Sequence, residues 1–253
     1  MNAVWNRALA LSLLTVGAVG GMSGAAWATP SPPTPIAIVN PSFEADTVPS
    51  GSLSSEYYWF VGSFTGWAAS GAAGGAGWFH PSTVSYPGGS GGSIYNAATG
   101  MPAGAQVGWA NGGSSLSQTL SAAYSDNTEY QLTFYILHRA DVALANYSVE
   151  LLAGSNVVAS ISNPVTPAAG GYALYTLSYT SGFFDPWAGR PLGILFGATG
   201  SSSTEVNFDG VSLQQINNAN VYVPEPTGAA PLAIGLLGMV LVVSRRQKAR
   251  QAR

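Results

Sequence analysis

Apolar and polar positions in the middle of this chain alternate with a period of two. Tyr130, Leu132, Phe134 and Ile136 are interleaved with Gln131, Thr133 and Tyr135. Tyr147, Val149 and Leu151 are interleaved with Ser148 and Glu150, and Tyr175, Leu177 and Tyr179 with Thr176, Ser178 and Thr180. A strand sends successive side chains to opposite faces, so each run predicts a strand with one buried face. Further short runs predict strands at 36–40, 57–61, 105–110, 114–120, 157–160, 192–196 and 205–213, separated by Gly, Pro, Ser and Asn. No helical period stands out between them. Some ten strands without helices predict an all-β, antiparallel β-sandwich over 36–214. The stretch 62–102 is the least regular. Its Gly-rich runs at 71–77 and 87–93 read as long loops, where function or disorder concentrates.

The two ends follow another pattern. Residues 8–19 form an apolar run behind Arg7, and Ala26-Trp27-Ala28 fits a small-x-small cleavage site, so 1–28 reads as a signal peptide. Residues 29–35 are a Pro-rich linker, and 215–222 form a second one. An apolar segment at 227–243 is long enough, at about 25 Å, to approach a membrane span. Five of the eight Lys and Arg residues follow it. Positive charge after an apolar run marks the cytoplasmic end, which puts the body of the chain outside.

The motif Val223-Pro224-Glu225-Pro226, the apolar segment and the basic pair Arg245-Arg246 come in the order of the PEP-CTERM sorting tail, which 223–250 resembles. That resemblance implies an exosortase as processing partner. It also implies membrane anchoring by the C-terminal transmembrane helix, and a destination at the cell surface or in the extracellular matrix of a Gram-negative bacterium.

Charge narrows the partners. Between the two ends ten acids face only Arg139 and Arg190, a balance of about −8 with no Lys. Nothing there could neutralise phosphates, so no nucleic-acid partner is expected. The chain has no Cys, which excludes thiol catalysis and Cys-held metals. Its polar residues are mostly neutral, suited to neutral partners such as extracellular polysaccharide.

The body carries a second resemblance. Asn40-Pro41-Ser42-Phe43-Glu44 opens it, Gly66-Trp67 follows, and Asn207-Phe208-Asp209-Gly210-Val211 closes it. It is similar to the galactose-binding-like jelly roll shared by many carbohydrate-binding modules, although Gly210 stands where Asn is more usual. The resemblance implies a structural calcium held by Glu44 and Asp209; Asp46 is a candidate third ligand. Calcium takes carboxylate and carbonyl oxygens, so the residue types suit it.

Among the aromatic residues, Trp78, Tyr86 and Tyr95 sit in Gly-rich surroundings and are the candidates for stacking on a sugar ring. Trp67 and Trp109 read as core. An enzyme is not expected. Gly88-Gly89-Ser90-Gly91-Gly92 lacks the strand and helix that a nucleophile elbow needs. His138, Arg139 and Asp141 read as a local ion pair. Asp126, Glu129, Asp141, Glu150, Asp185 and Glu205 could supply a pair of catalytic carboxylates, but their spacing selects none. The expectation is therefore a non-catalytic, glycan-binding surface or matrix protein. A structural biofilm or adhesion protein without a ligand site, and a polysaccharide-active hydrolase, are the alternatives.

Overall fold

A computed structural model describes residues 31–48, 57–71, 75–81, 94–95 and 101–217, all within the compact unit Thr29–Tyr222. The signal peptide, the sorting motif Val223–Pro226, the apolar segment and Arg245-Arg246 lie outside the described residues, as does Tyr86. No helix among the described residues is long and apolar enough to cross a membrane.

Twelve strands build two antiparallel sheets. They are β1 (Thr34–Ile36), β2 (Tyr57–Val61), β3 (Ala68–Ser70), β4 (Ala76–Pro81), β5 (Val107–Asn111), β6 (Ser115–Ala123), β7 (Thr128–Leu137), β8 (Asn146–Ala153), β9 (Asn156–Ser162), β10 (Tyr172–Thr180), β11 (Pro191–Thr199) and β12 (Glu205–Asn217). The larger sheet runs β10-β7-β12-β5-β4-β2, with β1 also on β12; the smaller runs β3-β6-β11-β8-β9. Both sheets stack as a curled, jelly-roll-like sandwich. The alternation in β7 and β8 is obeyed residue by residue: Tyr130, Leu132, Phe134 and Ile136 are fully buried, as are Val149 and Leu151 to within 1%.

Three strands go beyond the sequence expectation. β1 ends at Ile36 instead of continuing to Asn40, β3 was not expected, and β4 occupies much of a stretch expected to be loop. β4 exists because Phe60 faces Trp78 on one side and Gly108 faces it on the other, so the segment completes a ladder between β2 and β5. Its ladder partners are distant in sequence, and its own Gly-rich composition hides it.

The core between the sheets centres on a run of rings. Trp67 lies 5.2 Å from Phe43 and 5.7 Å from Phe196, and Phe196 stacks on Phe208 at 4.5 Å. Asn40 holds the opening loop around them. Its carbonyl accepts from Trp67 Nε1 at 2.9 Å, and its Oδ1 accepts from Ala45 N. Gly108 is where the core touches the sheet backbone, because a Cβ there would lie 2.6 Å from the Phe43 ring and 2.8 Å from Leu116.

β12 carries one extra residue. Its pairing with β7 shifts between Asp209 and Ser212. Gly210 takes φ +55° there, a left-handed conformation open mainly to Gly and Asn. The extra residue reverses the alternation. Val206 and Phe208 point into the core before it, and Val211 and Leu213 after it. Gly in place of the more usual Asn thus still meets the backbone requirement.

Candidate functional site

The informative face is the outer one of the larger sheet. Val206 and Phe208 face the core, so period two sends Glu205, Asn207 and Asp209 to the opposite side. Yet all three are buried, at 9%, 1% and 0% exposure. A polar row on an outer sheet face is normally wet. Here a second apolar cluster covers it, formed by Phe79, Ile94, Tyr95, Val107, Trp109 and Leu137, with Tyr135 and Tyr172 beside them. Register brings them together: Trp109 and Leu137 flank Asn207 on its two neighbouring strands, and Tyr135 lies opposite Asp209.

The row is wired into one hydrogen-bonded chain. Arg139 Nε and NH2 donate to Asp141 at 3.0 and 2.7 Å, and NH1 donates to Glu205 Oε1 at 3.2 Å. Asn207 Nδ2 donates to the same Glu205 oxygen at 2.9 Å, and Tyr95 Oη donates to Asn207 Oδ1 at 2.6 Å. The Arg139 guanidinium also lies over the Phe79 ring, 4.7 Å from its centroid, a cation–π contact. Burial pushes the Tyr95 hydroxyl well up, and the Glu205 charge adds to this. Burial likewise raises the Glu205 carboxyl, while Arg139 pulls it down.

Asp209 ends the row in different surroundings. Its Oδ2 accepts from Ala103 N at 2.9 Å and its Oδ1 from Gly210 N at 2.7 Å. Burial, reinforced by the nearby Glu44 charge, outweighs these bonds and pushes its carboxyl up to about 8. A buried carboxyl raised in this way, opposite Tyr135 in the register, has the pattern of a group tuned for acid chemistry.

Two expected ligand-stacking residues are not where the sequence placed them. Trp78 is 3% exposed and packs with Tyr58 and Phe60 at 5.2 and 6.1 Å, so it is core of the β2–β4 ladder and not a loop ring. Tyr95 is 5% exposed, turned inward by its bond to Asn207. Among the described residues, the exposed ring of this face is Trp59, at 55%, which lies 6.1 Å from Trp109. Trp67 and Trp109 are buried, as read from the sequence.

Glu44 and Asp209, the expected calcium ligands, do lie near one another, and the segment between them supplies the test of fit. Ala105 N and Gln106 N both donate to Glu44 Oε1 at 2.6 Å, as Ala103 N does to Asp209. Amide groups therefore present their positive ends where a cation would sit. Asp46 turns to Thr65 instead. Gln106 Oε1 is buried without a partner, an oxygen of the type calcium takes. Among the described residues no group of three or more His, Cys, Asp or Glu gathers. These residues form a clasp on the 103–106 segment.

Sequence reasoning missed Asn207 and left Glu205 as one carboxylate among six. The usable signal was Glu-Val-Asn-Phe-Asp itself: polar residues at every second position of a strand whose other members are core.

Comparison with known proteins bears on this site. A model of the HpiC1-like family, described as HpiC1 cyclase, matches residues 34–214. The Stig cyclase FisC from Fischerella sp. TAU, solved with (3Z)-3-(1-methyl-2-pyrrolidinylidene)-3H-indole, is 25% identical, with a TM-score of 0.58, over 73% of this chain and 98% of its own. A cyclase from the same organism in complex with 4-(1H-indol-3-yl)butan-2-one is 24% identical, with a TM-score of 0.58, over 72% and 97%. The carbohydrate-binding module TmCBM61, solved with β-1,4-galactotriose, is more distant, at 13% identity and a TM-score of 0.41 over 69% and 94%. No curated protein matches the chain. A match to a cyclase family overturns the expectation of a protein without catalysis. The reason for the error is physical: Glu205, Asn207, Asp209 and Tyr95 meet only through register, so no sequence motif marks them. With more than half of its length matched, the chain belongs to the HpiC1-like cyclase family.

Proposed function

We propose that this protein is a cyclase that closes a ring in a largely apolar, aromatic substrate by acid catalysis. The substrate would lie on the outer face of the larger sheet, and Asp209 would be the acid. The observation behind this is the fully buried Asp209 carboxyl, raised by burial to about 8, beside the aromatic layer that covers Glu205 and Asn207. The step balances as an isomerisation. Asp209 gives its proton to the substrate, the resulting cation closes the ring, and a proton leaves to the carboxylate. Positive charge in the intermediate would be favoured by the aromatic rings that line this face. FisC, solved with an indole-containing ligand, supports an indole-bearing substrate class.

Incubating the full chain with 3-substituted indoles that carry an unsaturated side arm tests this. The expected product is a ring-closed isomer of unchanged mass, and Asp209→Asn should slow its formation about 100-fold or more. Turnover that survives this substitution unchanged would remove Asp209 as the acid. Absence of both binding and isomerisation would remove the cyclase reading.

A second reading, glycan binding without turnover, rests on Trp59. This exposed ring at the rim of the same face suits stacking on a sugar. Polysaccharide binding that falls in Trp59→Ala, with no turnover of any indole, would favour it. Under either reading the termini keep the role proposed from sequence: export across the inner membrane, anchoring by the C-terminal segment, and exosortase processing.

A further inference from the structure

We propose that the loop 181–190, with Phe183 and Phe184 at its tip, rests on a lipid surface of zwitterionic headgroups. The inference is independent of the cyclase reading. It uses the C-terminal anchoring proposed above and adds a second contact with lipid, made by the folded sandwich itself.

The fold leaves an apolar tip outside. Phe184 is 91% exposed and its neighbour Phe183 59%. Phe184 also takes φ +57°, in the left-handed region that a bulky side chain rarely adopts. The loop beneath the rings is firmly held. Ser181 N donates to the Thr128 carbonyl at 2.9 Å, and Asn127 N to the Gly182 carbonyl at 3.0 Å. Phe184 N donates to Asp126 Oδ2 at 3.2 Å. Asp185 accepts from Tyr124 Oη at 2.9 Å and from Trp187 N at 3.0 Å. At the far foot Gly189 N donates to the Tyr124 carbonyl at 2.7 Å. A fixed frame thus displays two adjacent rings to solvent, at a cost in backbone strain and exposed apolar surface. Strain kept in place by its surroundings points to a use.

Topology says what lies against the tip. β10 and β12 both pair antiparallel with β7, so they run in the same direction, and Thr180 and Ile216 flank the same residue, Glu129. The loop therefore leaves the sheet at the end where β12 finishes, with Asn217 opposite Thr128. From Asn217 only residues 218–226 precede the apolar segment at 227–243. Fully extended, they reach about 35 Å at most. A tether that short keeps this end of the sandwich near the bilayer. Contact by two rings then becomes an intramolecular event and needs little affinity of its own. Asp126 and Asp185 stand at the base of the tip, with Arg190 at the far foot, on a body that is acidic as a whole. Anionic headgroups would be repelled, so the surface that fits is zwitterionic.

The chain has no Cys, so a single one can be introduced and labelled with a nitrobenzoxadiazole fluorophore. Gly182→Cys lies beside the rings, and a Cβ there meets nothing within 4 Å. Ser202→Cys, exposed just before β12 begins, lies at the opposite end of the sheet. The full chain with either label is reconstituted into phosphatidylcholine vesicles, with plain or brominated acyl chains. The label at 182 should shift to the blue and lose emission to the bromine, and the label at 202 should do neither. Adding Phe183→Ser and Phe184→Asn to the Gly182→Cys protein should restore the emission; Asn accepts the left-handed backbone, so the loop is kept. Emission at 182 that is equal in plain and brominated lipid would overturn the proposal and leave the anchoring standing. Equal quenching at 182 and 202 would mean that no particular end meets the lipid, and would overturn it too. Quenching that survives removal of both rings would overturn their role. A chain that does not float with the vesicles would sink the anchoring and this inference together, with the cyclase reading untouched.

Discussion

Arg139 and Glu205 are 66 positions apart in sequence and 3.2 Å apart in the fold, joining the end of β7 to the start of β12. The partnership matters because the body has so few cations. Arg139→Met would leave Glu205 buried without its counter-charge, and should destabilise the protein by about 3–5 kcal/mol. The double variant with Glu205→Leu should recover much of that loss. Urea unfolding of the two single variants and the double one measures it, and equal stability of Arg139→Met and the unaltered protein would refute the pairing.

Asp209 sets a pH dependence whose sign can be worked out. Its carboxyl titrates near 8 folded, against an ordinary 3.8. Between those values the folded state holds a proton that the unfolded state has lost, so stability falls as pH rises, by at most about 1.4 kcal/mol per pH unit. The contribution is complete below about 4 and gone above about 8. Unfolding midpoints in urea at several pH values should show this slope, and Asp209→Asn should flatten it. Ring closure should likewise slow above about pH 8, as the acid loses its proton.

Calcium should not matter to the folded state. The amide groups of Ala103, Ala105 and Gln106 already occupy Glu44 and Asp209. Melting in chelator and in millimolar calcium should therefore coincide. A calcium-dependent rise would show that the 103–106 segment yields its bonds to a cation, and would also make Asp209 an anion and end its role as acid.

Gly108→Ala should cost about 1–3 kcal/mol through overpacking. A Cβ there meets the Phe43 ring and Leu116 inside the core. Differential scanning calorimetry measures the loss; an unchanged melting temperature would mean that Phe43 can move aside without penalty.

The termini carry a prediction of their own. Mass spectrometry of the exported protein should find Thr29 as the first residue, and co-expression with an exosortase should remove the basic tail after the Val223-Pro224-Glu225-Pro226 motif. An intact 253-residue chain in the cytosol would contradict both.

How much was legible in the sequence differs from element to element. The alternation in β7, β8 and β10 announced itself, because one face of each strand is the less accessible, buried in β7 and β8 and half-buried in β10. β4 did not, since its residues from Ala76 to Phe79 are buried on both faces and its neighbours are Gly-rich. The core roles of Trp67 and Trp109 could be read from their strand-like surroundings. The inward turn of Tyr95 could not, because its partner Asn207 lies 112 positions away. The ion pair of Arg139 with Asp141 is local and was readable; its extension to Glu205 is a product of register. Chemistry hid for the same reason: a site assembled across β12, β5, β7 and the residues near 95 leaves no contiguous motif.

The pairing of β1 with β12, Thr34 opposite Gln215, brings the first and last strands side by side. The backbone contact from Ser31 to Asn217 continues that closeness to the edge of the described chain. A fold whose ends meet can be spliced as a cassette into a surface loop of an unrelated host, or rejoined through a short peptide and reopened elsewhere, without breaking a strand. Evolution and the engineer are offered the same freedom: the sandwich is portable, and the segments at either end can be exchanged without rebuilding it.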